Sequence, residues 1–200
     1  LNARFQSGTI LRGNVFRSEG GTYAAVIFQS SEIAMTDNVF WTSAFGKYRG
    51  LSAYASDLSR VERTLFLADG TCHYLAQSGP HQTWSRNLMV SYGCSHISSS
   101  RMKSTQINQN TFVGGPGVRL GGLAAGQASL SSGVFYDASL GVRDNNGITN
   151  SITKTNHNLF YEIGPCSGGP GSNHPNCRYN NVKMAGKTQG NHPDFGDQDI

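Results

Sequence analysis

The sequence predicts an all-β solenoid, a coil of short strands in about seven to eight stacked rungs, and three observations carry that prediction. The first is a recurring spelling: an apolar residue, then Asn or another small residue three positions on, then Phe or Met two beyond that. It reads Leu11-Asn14-Phe16, Met35-Asn38-Phe40, Val61-Thr64-Phe66, Trp84-Asn87-Met89, Ile107-Asn110-Phe112, Leu130-Gly133-Phe135 and Thr155-Asn158-Phe160. The second is the period. Anchors at 14, 38, 64, 87, 110, 133, 158 and 181 lie 24, 26, 23, 23, 23, 25 and 23 residues apart, and self-similarity at a fixed period of this size marks a stacked array. The third is composition: charged residues make up 14% of the chain and glycines number 25, where soluble domains average about a quarter charged. A surface of Ser, Thr, Asn and Gly favours extended structure over helices.

Each unit reads as strand, Asn corner, strand, Gly turn, strand. With the anchor as position zero, −3 and +2 hold the apolar residues, and +6 holds turn residues such as Gly20, Gly70 and Gly93. A second apolar patch follows each turn, as at Val26 and Phe28 or Val118 and Leu120. Rungs at about 4.8 Å, the spacing of hydrogen-bonded strands, place like above like. The Phe column becomes an aromatic stack. Asn14, Asn38, Asn87, Asn110, Asn158 and Asn181 become an amide ladder, each side-chain carbonyl accepting from a neighbouring side-chain amide. Asn also tolerates the left-handed backbone that such a corner needs.

These residues resemble the right-handed parallel β-helix of the pectin-lyase-like superfamily with its asparagine ladder, over about residues 10 to 181. Thr64 and Gly133 depart from the ladder and are expected to leave two gaps in it. The tail Asn191-His-Pro-Asp-Phe-Gly-Asp197, within residues 186–200, resembles the non-repetitive segment that follows the last rung in such proteins. The resemblance implies a solenoid whose open ends need caps. Residues 1–200 are therefore expected to be one domain, a segment of a longer protein, with other segments or subunits stacked on its ends.

Three stretches depart from the repeat. Leu51, Tyr54, Ala55, Leu58, Val61 and Leu65 match helical spacing, and Ser59-Arg-Val-Glu62 reads as a capping box, so a short helix over about 52–62 is expected within the long interval. Gly114 to Gly126 reads as a Gly-rich loop. Cys166 and Cys177 bracket a loop too rich in Gly and Pro to order itself, so residues 165–178 are expected to be closed by a disulfide. A zinc site using His174 is the rival, without a second ligand pair to complete it. Cys72 and Cys94, at +8 and +7 of consecutive rungs, read either as a second bridge or as two buried free thiols. Disulfides imply an oxidising compartment, hence an extracellular, secreted or cell-surface protein.

Candidate functional residues follow from the outward columns. Position +9 holds Tyr23, Lys47, His73, His96 and Arg119, with Arg143 one step off, which would make a basic stripe suited to an acidic glycan. Position +3 holds Trp41, Tyr136 and Tyr161, rings able to stack on sugars or to lie beneath a neighbouring chain. Asp137 and Glu162 share +4 on adjacent rungs, a spacing that suits a glycosidase pair, although the other +4 residues are small and read as inward. A lyase needs a base and a cation, for which His96, Arg119 and Lys103 are available.

Enzymes on the resembled fold act on acidic polysaccharides, but their patterns are missing. There is no Asn-Thr-Asp with Gly-His-Gly, no Arg-x-Pro-x-x-Arg and no Asp-Pro-His. No cofactor is expected, and too few carboxylates cluster to support calcium. A formal charge of +4 without a Lys/Arg cluster gives no sign of a nucleic-acid binder, and no apolar run spans a membrane. The reading that results is an extracellular structural and binding solenoid segment of a cell-surface or filament-forming protein, by analogy with recurrent-rung surface proteins such as fibrocystin-like ones, possessing a face for acidic glycans. The alternative is a polysaccharide lyase or glycoside hydrolase.

Overall fold

The computed structural model describes residues 1–19, 23–43, 49–54, 56–69, 81–91, 96–100, 104–121, 128–136, 140–144, 152–156, 158–161 and 182–185. It is a parallel β-solenoid, and every strand pair within its sheets is parallel.

A seven-stranded sheet, here the corner sheet, runs from Ile10–Arg12 through Ala34–Thr36, Leu58–Glu62, His81–Ser85, Ser104–Asn108 and Ala128–Ser131 to Ile152–Asn156. An eight-stranded long sheet runs from Val15–Glu19 through Val39–Ser43, Leu65–Asp69, Leu88–Val90, Thr111–Val113, Val134–Tyr136 and Asn158–Tyr161 to Val182–Ala185. Two three-stranded sheets fill the third place in the rung: Asn2–Arg4, Tyr23–Phe28 and Arg49–Tyr54, then Ile97–Ser100, Pro116–Gly121 and Leu140–Asp144.

The register puts like on like. At −3, Leu11, Met35, Val61, Trp84, Ile107, Leu130 and Thr155 are successive partners. At +2 the partners are Phe16, Phe40, Phe66, Met89, Phe112, Phe135 and Phe160. Through Leu130 and Phe135 both columns face the interior, and Met35, Phe40, Val61, Phe112 and Phe135 are wholly buried. Phe16 stacks on Phe40 with ring centroids 4.7 Å apart, Phe40 on Phe66 at 4.9 Å and Phe112 on Phe135 at 4.6 Å. Such pairs add about 0.5–1.5 kcal/mol beyond the area they bury. The +4 residues Ser18, Thr42, Ala68 and Ser91 are buried as a small inward column.

The ladder is a directional clamp. The Oδ1 atoms of Asn38, Asn87, Asn110 and Asn158 accept the backbone N–H of the preceding anchor, respectively Asn14, Thr64, Asn87 and Gly133, at 2.8–3.0 Å. Their Nδ2 atoms donate to the carbonyls of Leu11, Val61, Trp84 and Leu130, the −3 residues of those same rungs. Direct amide-to-amide bonds also occur, Asn14 to Asn38 at 3.3 Å and Asn87 to Asn110 at 2.9 Å. Thr64 and Gly133 still receive the clamp from the next rung; what they lack is an amide with which to hold the previous one. A Cβ on Gly133 would sit 3.0 Å from Asn158 Oδ1 and 3.3 Å from the Phe135 ring.

Three expectations are corrected. The left-handed corner residue is not Asn but its predecessor: Gly13, Asp37, Arg63, Arg86, Gln109 and Ser132 all have positive φ, from 47° to 68°. Backbone N–H groups, not side-chain tolerance, explain the position. Those of Gly13, Asp37, Arg63, Arg86 and Gln109 each reach a carbonyl one rung on, at 2.8–3.2 Å. Among the described residues of 52–62 there is no helix; the span instead holds the end of Arg49–Tyr54 and the strand Leu58–Glu62. There the register slips against His81–Ser85, and Ser59 and Arg60 stand exposed between buried Leu58 and Val61. A β-bulge thus turns an inward i, i+2 pair into i, i+3 and imitates a helix. Ser59 caps nothing; its hydroxyl donates to the Ile33 carbonyl at 3.1 Å. Finally, the stretch read as a loop from Gly114 enters a strand at Pro116–Gly121 after the left-handed Gly114 and Gly115.

The clamp gives a graded stability series. Asn110→Ala strips the acceptor from both Asn87 donors and is expected to lower unfolding free energy by about 3 kcal/mol. Asn14→Ala, at the half-open end, is expected to cost less than about 1 kcal/mol. Urea unfolding of the two variants checks it, and equal losses would contradict a directional clamp.

Candidate functional site

Strand alternation decides what the molecule shows to its surroundings. On the long sheet the inward +2 column is flanked by two outward ones. The first pairs Val15, Val39, Leu65, Leu88, Thr111, Val134 and Leu159 in succession; the second pairs Arg17, Trp41, Leu67, Val90, Val113, Tyr136 and Tyr161. Apart from Thr111 and Arg17, both columns are apolar or aromatic. Val15, Leu88 and Tyr136 are exposed, while Val39, Trp41, Leu65, Leu67, Val90, Val113 and Val134 are half-buried. The Arg17 guanidinium lies 4.2 Å from the Trp41 ring centroid and is also paired with Glu19.

The corner sheet is the opposite in character. Its outward −2 column reads Arg12, Thr36, Glu62, Ser85, Asn108, Ser131 and Asn156 in register. At its centre the buried Glu62 carboxylate holds Arg60, Arg63 at 3.0 Å and Arg86 at 3.2 Å. Asp37 bridges Arg63 at 2.7 Å and Arg12 at 3.3 Å. This network escaped sequence reading, although Asp37, Arg63 and Arg86 share position −1 and so were legible as one column. Every charge in it has a partner, so it fixes the corner rather than offering a free anion site.

No family model, curated protein or solved structure matches the chain. The fold is therefore established by geometry alone, and the resemblance to the pectin-lyase-like superfamily rests on the repeat.

The sequence-predicted residues distribute unevenly. Trp41, Tyr136 and Tyr161 fall in one register column, as the +3 alignment requires. Arg119 and Arg143 are direct partners on neighbouring strands. His96 corrects the proposed +9 stripe. It is buried, its Nε2 lies 2.9 Å from the Val113 carbonyl and its ring packs 5.6 Å from Phe112. Its neighbour Ile97 pairs with Val118, so Arg119 stands over Ser98 and not over His96. Tyr23 likewise pairs with Arg49, two residues beyond the expected Lys47. At the far end Val182, not Asn181, stands opposite Asn158. Lys47, Cys72, His73, Cys94, Lys103, Asp137, Glu162, Cys166, Cys177 and Asn181 lie outside the described residues, as does the whole tail at 186–200. Among the described residues no group of His, Cys, Asp and Glu is placed to hold a metal ion, and no helix is long and apolar enough to cross a membrane.

The ion-pair corner sets a pH response. For Glu62, burial alone would raise the carboxyl, but the hydrogen bond and charge of Arg60, with the charges of Arg63 and Arg86, outweigh it and hold it below its ordinary range. The hydrogen bond from Arg63, opposed by burial and aided by the charges of Arg63 and Arg12, lowers Asp37. Groups lowered by folding contribute stability that is present above the ordinary carboxylate range and lost as pH falls through their folded values. Thermal midpoints are expected to decline below about pH 4, and less steeply in Glu62→Gln. An unchanged acid limb in that variant would contradict this assignment.

Proposed function

We propose that the chain is a structural and binding segment of a larger extracellular assembly, a rigid stack whose long-sheet outer face holds an extended acidic glycan. The observation that supports this most is the single column from Arg17 through Trp41 to Tyr136 and Tyr161. Aromatic rings on such a column offer flat apolar faces to sugar rings, and the exposed Arg17 guanidinium, on exchanging its surface partner Glu19, offers a fork for a carboxylate or sulfate. Trp41 and Tyr136 stand four rungs apart, roughly 19 Å at strand spacing. That separation suits a polymer lying along the stack rather than a single sugar. Arg119 and Arg143 are register partners on the third side, so arginine recurs there on successive rungs. The extracellular placement rests on four cysteines in a chain poor in charge.

Among the described residues nothing favours the enzymatic alternative, a polysaccharide lyase or hydrolase: His96, one of its candidate bases, is buried against Phe112. Titration with uronate and sulfated polymers at low salt tests the binding reading. Saturable binding is expected, weakened about fivefold by Trp41→Ala or Tyr136→Ala and fading as salt rises, because exposed charges are screened. Absence of binding to every polymer, or binding indifferent to both substitutions, would overturn the proposal. Unsaturated product or new reducing ends would replace it with the enzymatic alternative.

A further inference from the structure

The corner sheet stacks three side chains, on its border away from the clamp, that neither the outer face nor the ion pairs use. His81 and Ser104 open their strands and are register partners. His81 Nδ1 lies 2.7 Å from Ser104 Oγ. On the other side of His81, Asp57 Oδ1 accepts the His81 backbone N–H at 2.9 Å. His81 is exposed, and Asp57 and Ser104 are half-buried. Carboxylate, imidazole and hydroxyl thus follow one another on the three central strands of the sheet, in the interior of the stack and not at an end.

The bulge at Ser59 and Arg60 makes this column. Val61 stands opposite Trp84, and the same offset carried back along the strands would set Leu58 against His81. Instead Leu58 stands opposite Gln82, so the residue brought against His81 is Asp57. Bulges are over-represented beside active sites, where they re-aim a side chain. A hydroxyl within hydrogen-bond reach of a base, with a third group holding the base, is the arrangement that activates a serine. In the tautomer protonated at Nε2, His81 Nδ1 accepts the Ser104 O–H and is placed to take its proton. Thr83 and Gln106, two residues along the same strands, are register partners on the same outward side. Their hydroxyl and amide supply donors for a developing oxyanion.

We infer that Ser104, His81 and Asp57 form a hydrolytic site for short acyl esters, acetates above all, carried on a molecule extended enough to lie across an open sheet. Ser104 Oγ bonds to the ester carbonyl carbon while its proton passes to His81 Nδ1. His81 gives that proton to the alcohol oxygen as the ester C–O bond breaks. Water then adds to the acyl-serine, losing a proton to His81, and Ser104 Oγ recovers that proton as the carboxylic acid departs. Asp57 is a positioning residue, since it holds the His81 backbone.

Hydrolysis of p-nitrophenyl acetate by the whole chain, with acid-quenched samples analysed by peptide mass spectrometry, tests this. The expected result is an acetyl group on the peptide carrying Ser104 and an initial burst of nitrophenolate. Ser104→Ala and His81→Ala are each expected to lower kcat/KM about a hundredfold. Asp57→Ala is expected to lower kcat about tenfold at unchanged KM, and Asp57→Asn, which keeps the acceptor, to restore it. The acetyl position in the unsubstituted chain decides the matter even if a variant does not fold. No turnover, acetyl groups on other residues only, rates unmoved by Ser104→Ala or His81→Ala, or an Asp57→Ala kcat equal to that of the parent would each overturn the inference.

Discussion

The solenoid depends on one corner, where a side-chain amide reaches back one rung and holds it by an N–H and a carbonyl. Backbone hydrogen bonds keep neighbouring strands parallel, but they leave each corner with polar groups that point along the stack and must be satisfied. The Asn amide supplies an acceptor and a donor at the distance of one rung, and at Asn38, Asn87, Asn110 and Asn158 both are used. The left-handed residue just before it bends the chain, and does so even as Arg63, Arg86, Gln109 or Ser132. A non-glycine residue in this conformation costs about 1 kcal/mol or more. Corner bonding on both sides of it offsets that cost, and the position is filled by Gly or by polar residues of quite different size.

Once the corner fixes the register, every other column inherits it. An in-register parallel stack repeats each residue's environment at every rung, so small biases in composition become continuous surfaces. Phenylalanines become a stack at one inward position, small residues line another, and the two outward sides of the coil diverge. The corner sheet is polar and closed by ion pairs around Glu62. The two outward columns of the long sheet are apolar or aromatic apart from Thr111 and Arg17, and Arg17 and Trp41 are in contact near its head. That asymmetry, more than any single side chain, is the basis for assigning a binding role to one side and a structural role to the other.

What sequence made legible was whatever lies within a few residues of the anchor. Positions −3, +2, +3 and +4 kept their register because strand, corner and strand have fixed lengths, and the aromatic column through Trp41 and Tyr136 followed directly. The third side was not legible, because the turn before it varies. Ile97, Val118 and Val142 are register partners although they lie 10, 8 and 9 residues after anchors 87, 110 and 133. A fixed +9 column therefore mixed an inward His96 with Arg119. The same drift of one residue put Val182 where Asn181 was expected. The bulge at Ser59 and Arg60 misled for a different reason, since one inserted residue changes the inward period from two to three and borrows the pattern of a helix.

Through-space NMR contacts in the isotopically labelled chain test the central claim most directly. A clamped parallel stack predicts backbone contacts from Thr111 to both Leu88 and Val134, and from Phe112 to both Met89 and Phe135, with offsets that stay constant along each strand. Offsets that change by two for every residue advanced would mean antiparallel pairing, and would contradict the stack and the directional clamp together.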